Sequence, residues 1–195
     1  MITLDPNTHT YSLDGKPVPG VNQILESVGI CDYSRIPDKH RIPALERGKL
    51  MHMASEDLFD GVDPWWVDEP SIAGRMSALE KWVEESGFIP RQWEEPMYSS
   101  IHGYAGTPDA FGEDRDGLLL PDWKSGQYYP DYPIATAAYL ALMEVDSHKV
   151  RRCSLLLRDN GTYKQVFHED FFRDFTVFQN ALSIFKWKAA KLRTP

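Results

Sequence analysis

The feature that most constrains this chain is an apolar strand that runs directly into charge. Leu118, Leu119 and Leu120 lead through Pro121 to Asp122, Trp123 and Lys124. Three successive leucines predict a buried strand, and two-residue alternation puts Asp122 and Lys124 on one of its faces. The loop Gly112–Gly117 is rich in turn formers. It joins this strand to an earlier arm, near Tyr104 to Phe111, in which Asp109 follows Gly106, Thr107 and Pro108. The stretch Gly106 to Gly126 therefore predicts a β-hairpin whose arms bring two acids to one place. A buried charge is costly unless it is paired or coordinates a metal.

Metal-assisted phosphodiester hydrolysis suits this arrangement. Hard cations take oxygen ligands, commonly one or two carboxylates with water and phosphate. Asp109 and Asp122 supply carboxylates, and the backbone carbonyl of Trp123 is a third candidate oxygen. Lys124 is placed to hold the attacking water and to offset negative charge in the transition state. The ordinary alternative is a surface hairpin with a Lys–Asp pair, since a lone D-x-K occurs by chance in many proteins. The preceding acid and the apolar approach weigh against that alternative.

Gly106-Thr107-Pro108-Asp109 followed by Asp122-Trp123-Lys124 resembles the PD-(D/E)xK nuclease superfamily, and within it the RecB-type and phage exonuclease branch. That branch carries G-x-x-D, D-x-K, an upstream G-x-x-x-H and a downstream Q-x-x-x-Y. Gly48 to His52 matches the upstream motif, with Arg47 before it. Tyr139 matches the end of the downstream motif, but Ala135 stands where the glutamine belongs. The resemblance spans about residues 40 to 145. It implies a restriction-endonuclease-like α/β core, with a central mixed sheet flanked by helices. It also implies cleavage of linear duplex or single-stranded DNA with Mg²⁺ or Mn²⁺, as a phage recombination or repair exonuclease does, with a recombination protein as a possible partner. His52 would join Asp109 and Asp122 at the metal, and Tyr139 would assist. An acid at the start of the first strand would help hold the ion. Glu95 is the candidate, although alternation does not decide between Glu94 and Glu95.

At 195 residues the chain is long enough for one domain with a proper core. No apolar run is long enough to span a membrane, and the opening stretch has no basic and apolar signal pattern. Cys31 and Cys153 are too few for a four-cysteine iron–sulfur cluster and suggest free thiols in a cytoplasm, that of a bacterial host if the chain is phage-encoded. The net charge of −8 argues against a general DNA-coating protein. A local basic patch can still steer phosphate. Lys39, His40, Arg41, Arg47 and Lys49 are the first such group. Arg41, Arg47, Lys49 and, beside Lys124, Ser125 are the substrate-binding candidates. Arg151 and Arg152 form a second group; Lys186, Lys188, Lys191 and Arg193 read as a solvated helix end.

In chain order, Ile2–Leu4 and Thr10–Leu13 predict strands, with a turn at Asp14-Gly15. Val21–Val28 predicts a short helix, and 30–43 a loop. Pro43–Phe59 predicts a helix with Leu50, Met51, Ala54 and Leu58 inward and Gly48, His52 and Glu56 on another face. Trp65 and Trp66 are expected to pack against a neighbouring helix, with base stacking the lesser alternative. Ile72–Ser86 predicts a scaffold helix, and the sheet should begin between Phe88 and Ser100. A helix over about Ile134–Glu144 puts Ala135 and Tyr139 on one face. Val150–Leu157 and Tyr163–Phe167 predict strands. A last helix, about Glu169–Leu192, carries a stripe of Phe171, Phe175, Phe178, Leu182 and Phe185. The runner-up function is a catalytically weak or inactive family member that binds nucleic acid or protein. Ala135 and the acidic charge favour it.

Overall fold

The computed structural model describes residues 1–6, 8–32 and 36–192. Strands β1 (Ile2–Asp5), β2 (Thr10–Leu13) and β3 (Lys16–Val18) form an antiparallel sheet of their own. The two-residue turn between β2 and β3 holds Asp14 and Gly15 at φ 49° and 77°, the left-handed pair that such a tight hairpin needs. Pro17 sits in β3, an edge strand, where its missing N–H is tolerated. Helix α1 (Val21–Ser27) follows.

Helix α2 runs over Asp38–Asp60 and so starts five residues before the expected Pro43. The Pro37 carbonyl accepts from the His40 and Arg41 amides, and Asp38 in the first turn suits the helix N-terminus. Lys39, His40 and Arg41 are therefore helical; of the expected loop, residues 33–35 lie outside the described residues. Helix α3 (Ala73–Ser86) ends on left-handed Gly87. Trp66 between them is buried, with Nε1 donating to Glu80, and Trp65 Nε1 donates to Asp57, so both rings pack as expected.

The central sheet has five strands: β4 (Ile89–Trp93), β7 (Ala110–Asp114), β8 (Gly117–Lys124), β9 (Arg151–Leu157) and β10 (Tyr163–Phe167). Their order is β10-β9-β8-β7-β4. The β8–β9 pair is parallel and the other three pairs are antiparallel, so the sheet is mixed, as expected. The expected first arm Tyr104–Phe111 is split in two. Strand β6 (Tyr104–Gly106) pairs with β5 (Met97–Ser99) in a separate ribbon, and β7 begins only at Ala110. Pro108 between them has no N–H for a ladder, which ends one pairing before the other starts.

The parallel β8–β9 connection requires a crossover, supplied by α4 (Tyr132–Leu140). This helix starts two residues before the expected Ile134, with Pro133 in its first turn, and ends before Glu144. Helix α5 (Phe171–Leu192) closes the chain. Alternate residues of the sheet divide the core between its faces. Leu120, Phe111, Leu140, Phe178 and Leu182 pack on the α1, α4 and α5 side; Leu119, Trp123, Leu155, Met76 and Trp82 pack on the α2 and α3 side. Cys31 and Cys153 are buried and free. Lys186 and Lys188 donate to the His102 and Ser27 carbonyls rather than standing free in solvent; Arg193 lies outside the described residues. Among the described residues no helix is long and apolar enough to cross a membrane.

Candidate metal centre

Three elements meet at the end of β7. Asp109 immediately precedes that strand, Glu94 immediately follows β4, and His52 comes from the middle of α2. The Glu94 amide donates to the Asp109 carbonyl at 3.2 Å, which sets the two acids side by side. Aromatic packing of Phe59 on Trp93, and a bond from Trp93 Nε1 to Asp60, hold α2 against β4. His52 Nδ1 lies 2.8 Å from Glu94 Oε1 and 3.6 Å from Asp109 Oδ1. One ligand atom from each of His52, Glu94 and Asp109 falls within 4.8 Å of the others.

Glu94, not Glu95, is the acid of this group. Glu94 adopts φ 46°, and its side chain is 12 % exposed. Glu95 points to solvent and accepts from Gln92 Nε2 at 2.8 Å. The left-handed residue ends the strand's alternation, so counting in twos along the sequence does not reach the answer.

Asp122 and Lys124 share a face at the carboxyl end of β8, where the chain leaves for α4. Asp122 is 1 % exposed, and Lys124 Nζ approaches its Oδ2 to 2.7 Å. That approach lies off the hydrogen-bonding direction, and Asp122 Oδ1 has no hydrogen-bond partner. Lys124 also lies 5.0 Å from the centre of the Tyr132 ring. Asp122 stands outside the group of His52, Glu94 and Asp109, with Lys124 as its neighbour. Trp123, on the opposite face, packs against Trp82 and Phe59, while its amide donates to Asp109 Oδ2 at 2.5 Å. The N–H and C=O of an extended residue leave on the same edge, so the Trp123 carbonyl also faces Asp109.

Tyr139 is buried on α4, and its ring lies against Gly106. A Cβ at Gly106 would come within 2.9 Å of Tyr139 Cε1, so only glycine permits this approach. Ala135, one turn earlier, is buried in the same core and offers no polar group. Arg47 Nε donates to Ser125 Oγ at 3.3 Å, which brings two substrate-binding candidates together. Lys49 is exposed one residue beyond Gly48, and Arg41 is paired with Asp38 on its own helix at 2.7 Å.

Three neighbours had no sequence signal. Tyr11, from the N-terminal sheet, meets Thr107 Oγ1 at 3.0 Å. His9 lies near enough to His52 and Lys49 for their charges to depress its pKa, together with burial as the larger cause. Arg75, on a helix that reads as scaffold, donates from Nε to the Ser125 carbonyl at 3.3 Å.

The electrostatics are those of a crowded acidic site. Burial disfavours the His52 imidazolium, but the Asp109 and Glu94 carboxylates outweigh it and raise its pKa to about 9. Burial raises Asp109, against the pull of His52. Burial also raises Asp122 to about 6, against the pull of Lys124. Burial opposes the Lys124 ammonium, yet Asp122 and Asp109 raise its pKa above the ordinary value, so it is charged at neutral pH. Burial, reinforced by the Asp122 charge, raises the Tyr139 phenol well above its ordinary value and keeps it neutral.

Two carboxylates and an imidazole converging from three elements are a donor set that fits a divalent cation. The unpartnered Asp122 Oδ1 beside them fits it too. No family profile and no curated protein matches the chain. Among solved structures, an alkaline exonuclease, LHK-Exo from Laribacter hongkongensis, is 19% identical over 59% of this chain and 70% of its own, with a TM-score of 0.30. LHK-Exo in complex with dAMP is 15% identical over 90% of this chain and 94% of that chain, with a TM-score of 0.37. At scores this low the likeness carries no argument about the site, which stands on the chain's own residues.

Proposed function

We propose that the chain is a divalent-metal-dependent nuclease of the PD-(D/E)xK type, hydrolysing DNA phosphodiester bonds from an end as phage recombination and repair exonucleases do. One observation carries this reading: His52, Glu94 and Asp109 converge within 4.8 Å, next to the buried Asp122–Lys124 pair. His52, Glu94 and Asp109 would hold Mg²⁺ or Mn²⁺, with Asp122 and the Trp123 carbonyl as further oxygens. The ion supplies Lewis-acid charge to the phosphoryl oxygens and a more acidic water.

The protein's own groups do the rest. Lys124 remains an ammonium at neutral pH, so it serves as a donor and not as a base. From beside Asp122 it orients the attacking water and meets charge that grows on the phosphoryl group in the transition state. Asp122 is ionised above about pH 6 and accepts from that water. Tyr139 keeps its proton and donates to phosphate or to the water. Arg47, Lys49, Arg41 and Ser125 would contact the DNA backbone, Arg41 only after leaving Asp38.

End-labelled linear DNA and closed circular DNA, each incubated with Mg²⁺, Mn²⁺ or chelator, test the reading. Metal-dependent loss of the linear substrate alone is expected. Absence of cleavage in every metal would overturn it. It would favour the second reading, an inactive nucleic-acid-binding member, for which Ala135 in place of an amide is the supporting observation.

A further inference from the structure

Two guanidinium groups converge on the residue that follows Lys124. Arg47, from α2, donates from Nε to Ser125 Oγ at 3.3 Å. Arg75, from α3, donates from Nε to the Ser125 carbonyl at 3.3 Å and from Nη1 to the Ser71 carbonyl at 3.2 Å. Both side chains are part-buried. Neither has a carboxylate within ion-pair distance among the described residues, and Asp159 acts on Arg75 only from farther away. The two charges are close enough to repel, and each group's terminal nitrogens keep donors that the protein does not use. Two like charges held together without a counter-charge are a cost that a bound anion removes. Arginine forks suit phosphate because their planar donors match two of its oxygens. The other adjacent pair of arginines is neutralised within the protein: Arg151 pairs with Asp114, and Arg152 with Asp174.

We infer that Arg47, Arg75 and the Ser125 hydroxyl form a phosphate subsite, which takes the nucleic-acid phosphodiester next to the scissile one. The inference rests on the nuclease reading for what lies at Lys124. The subsite has its own function: it sets the register of the strand. Ser125 is adjacent to Lys124 in the chain, so a phosphate gripped at Ser125 fixes which linkage reaches the ammonium. Arg75 is thus a positioning residue. Neither guanidinium needs the metal, so the subsite works in chelator.

The test is binding of a short fluorescently labelled DNA strand by the whole chain in chelator, across a salt series. Wild type is compared with Arg75→Gln, Arg75→Lys and Arg47→Gln. Arg75→Gln is expected to weaken binding about tenfold and to flatten the slope of log K against log salt by about 0.7, the loss of one phosphate contact to a single strand. Arg75→Lys should keep the slope while binding less tightly, because it keeps a point charge and loses the fork. A neutral methylphosphonate walked along the strand should weaken wild-type binding at one linkage beside the scissile one and add nothing to Arg75→Gln. The wild-type scan in that arm needs only the native protein, so a variant that folds poorly does not rescue the idea. Unchanged affinity and slope in Arg75→Gln would overturn the subsite, as would a methylphosphonate scan with no sensitive neighbour or the absence of any DNA binding. The two readings separate cleanly. If the nuclease reading fails, no metal supports cleavage and the binding losses remain. If the subsite fails, cleavage persists and Arg75→Gln binds and cuts at the wild-type register.

Discussion

Replacing His52 by glutamine separates its role as a proton site from its proposed role as a metal ligand. In the metal-free protein His52 lies between Glu94 and Asp109, and its pKa is about 9. A metal must displace that proton to reach the imidazole nitrogen. The proton is held about two pH units too tightly at pH 7, so apparent metal affinity there is lower by up to about a hundredfold than above pH 9. The ring is 48% exposed, and solvent screening brings the expected gain from pH 7 to 9 nearer to tenfold. Metal titration by calorimetry over this range should show that rise in the native protein. His52→Gln should bind more weakly at every pH and lose the rise. The stability of the metal-free protein moves the other way. The imidazolium contribution is fully present below 6.5, the ordinary value, and disappears as pH rises through about 9. The cost of ionising Asp122 grows between 3.8 and about 6, below this window. A melting temperature that falls from pH 6.5 to 9 without metal, and stays level with it, is therefore expected. A native metal affinity that is flat with pH, or a glutamine variant that keeps the rise, would refute the reasoning.

Lys124→Met keeps the side-chain stem and removes the ammonium; metal binding should persist while turnover drops by orders of magnitude, as single-turnover kinetics beside calorimetry would show. Asp122→Asn should abolish cleavage and raise the melting temperature of the metal-free protein, because a carboxylate that burial disfavours becomes neutral. Gly106→Ala sets a methyl 2.9 Å from Tyr139 Cε1 and 3.0 Å from Leu142 Cδ1. It should cost about 1–3 kcal/mol in denaturant unfolding and slow turnover by moving the phenol.

Period-two alternation was enough to read Asp122, Trp123 and Lys124 onto their faces, and helical spacing was enough for the α5 stripe; His52 came to the site through the resemblance and not through its spacing. The central mixed sheet was an implication of the resemblance, and the separation of β5 and β6 into their own ribbon was not read from the pattern. What escaped did so for local or long-range reasons. Glu94 escaped because a left-handed residue breaks the count after β4. The start of α2 escaped because Asp38 and Pro37 nucleate a helix that Pro43 does not stop. Tyr11 escaped because its partner Thr107 lies 96 residues away. Arg75 escaped because a helix with a strong core stripe hides what its other side holds.

Asp109 also serves as a fastener between neighbouring stretches of backbone. Where Pro108 leaves the chain without a ladder donor, the Asp109 side chain accepts from the Trp123 amide and fills the gap in the seam. One of its oxygens belongs to the sheet and the other faces His52. The consequence is a built-in asymmetry between the two acids. Asp122 meets Lys124 but makes no hydrogen bond to the backbone among the described residues, so its exchange leaves this seam closed. Asp109→Ala takes out a rivet as well as a proposed ligand, and a stranded amide costs about 1–3 kcal/mol. Loss of the acid at position 122 therefore leaves this seam closed, while loss of the acid at position 109 opens it whether or not an ion is ever bound.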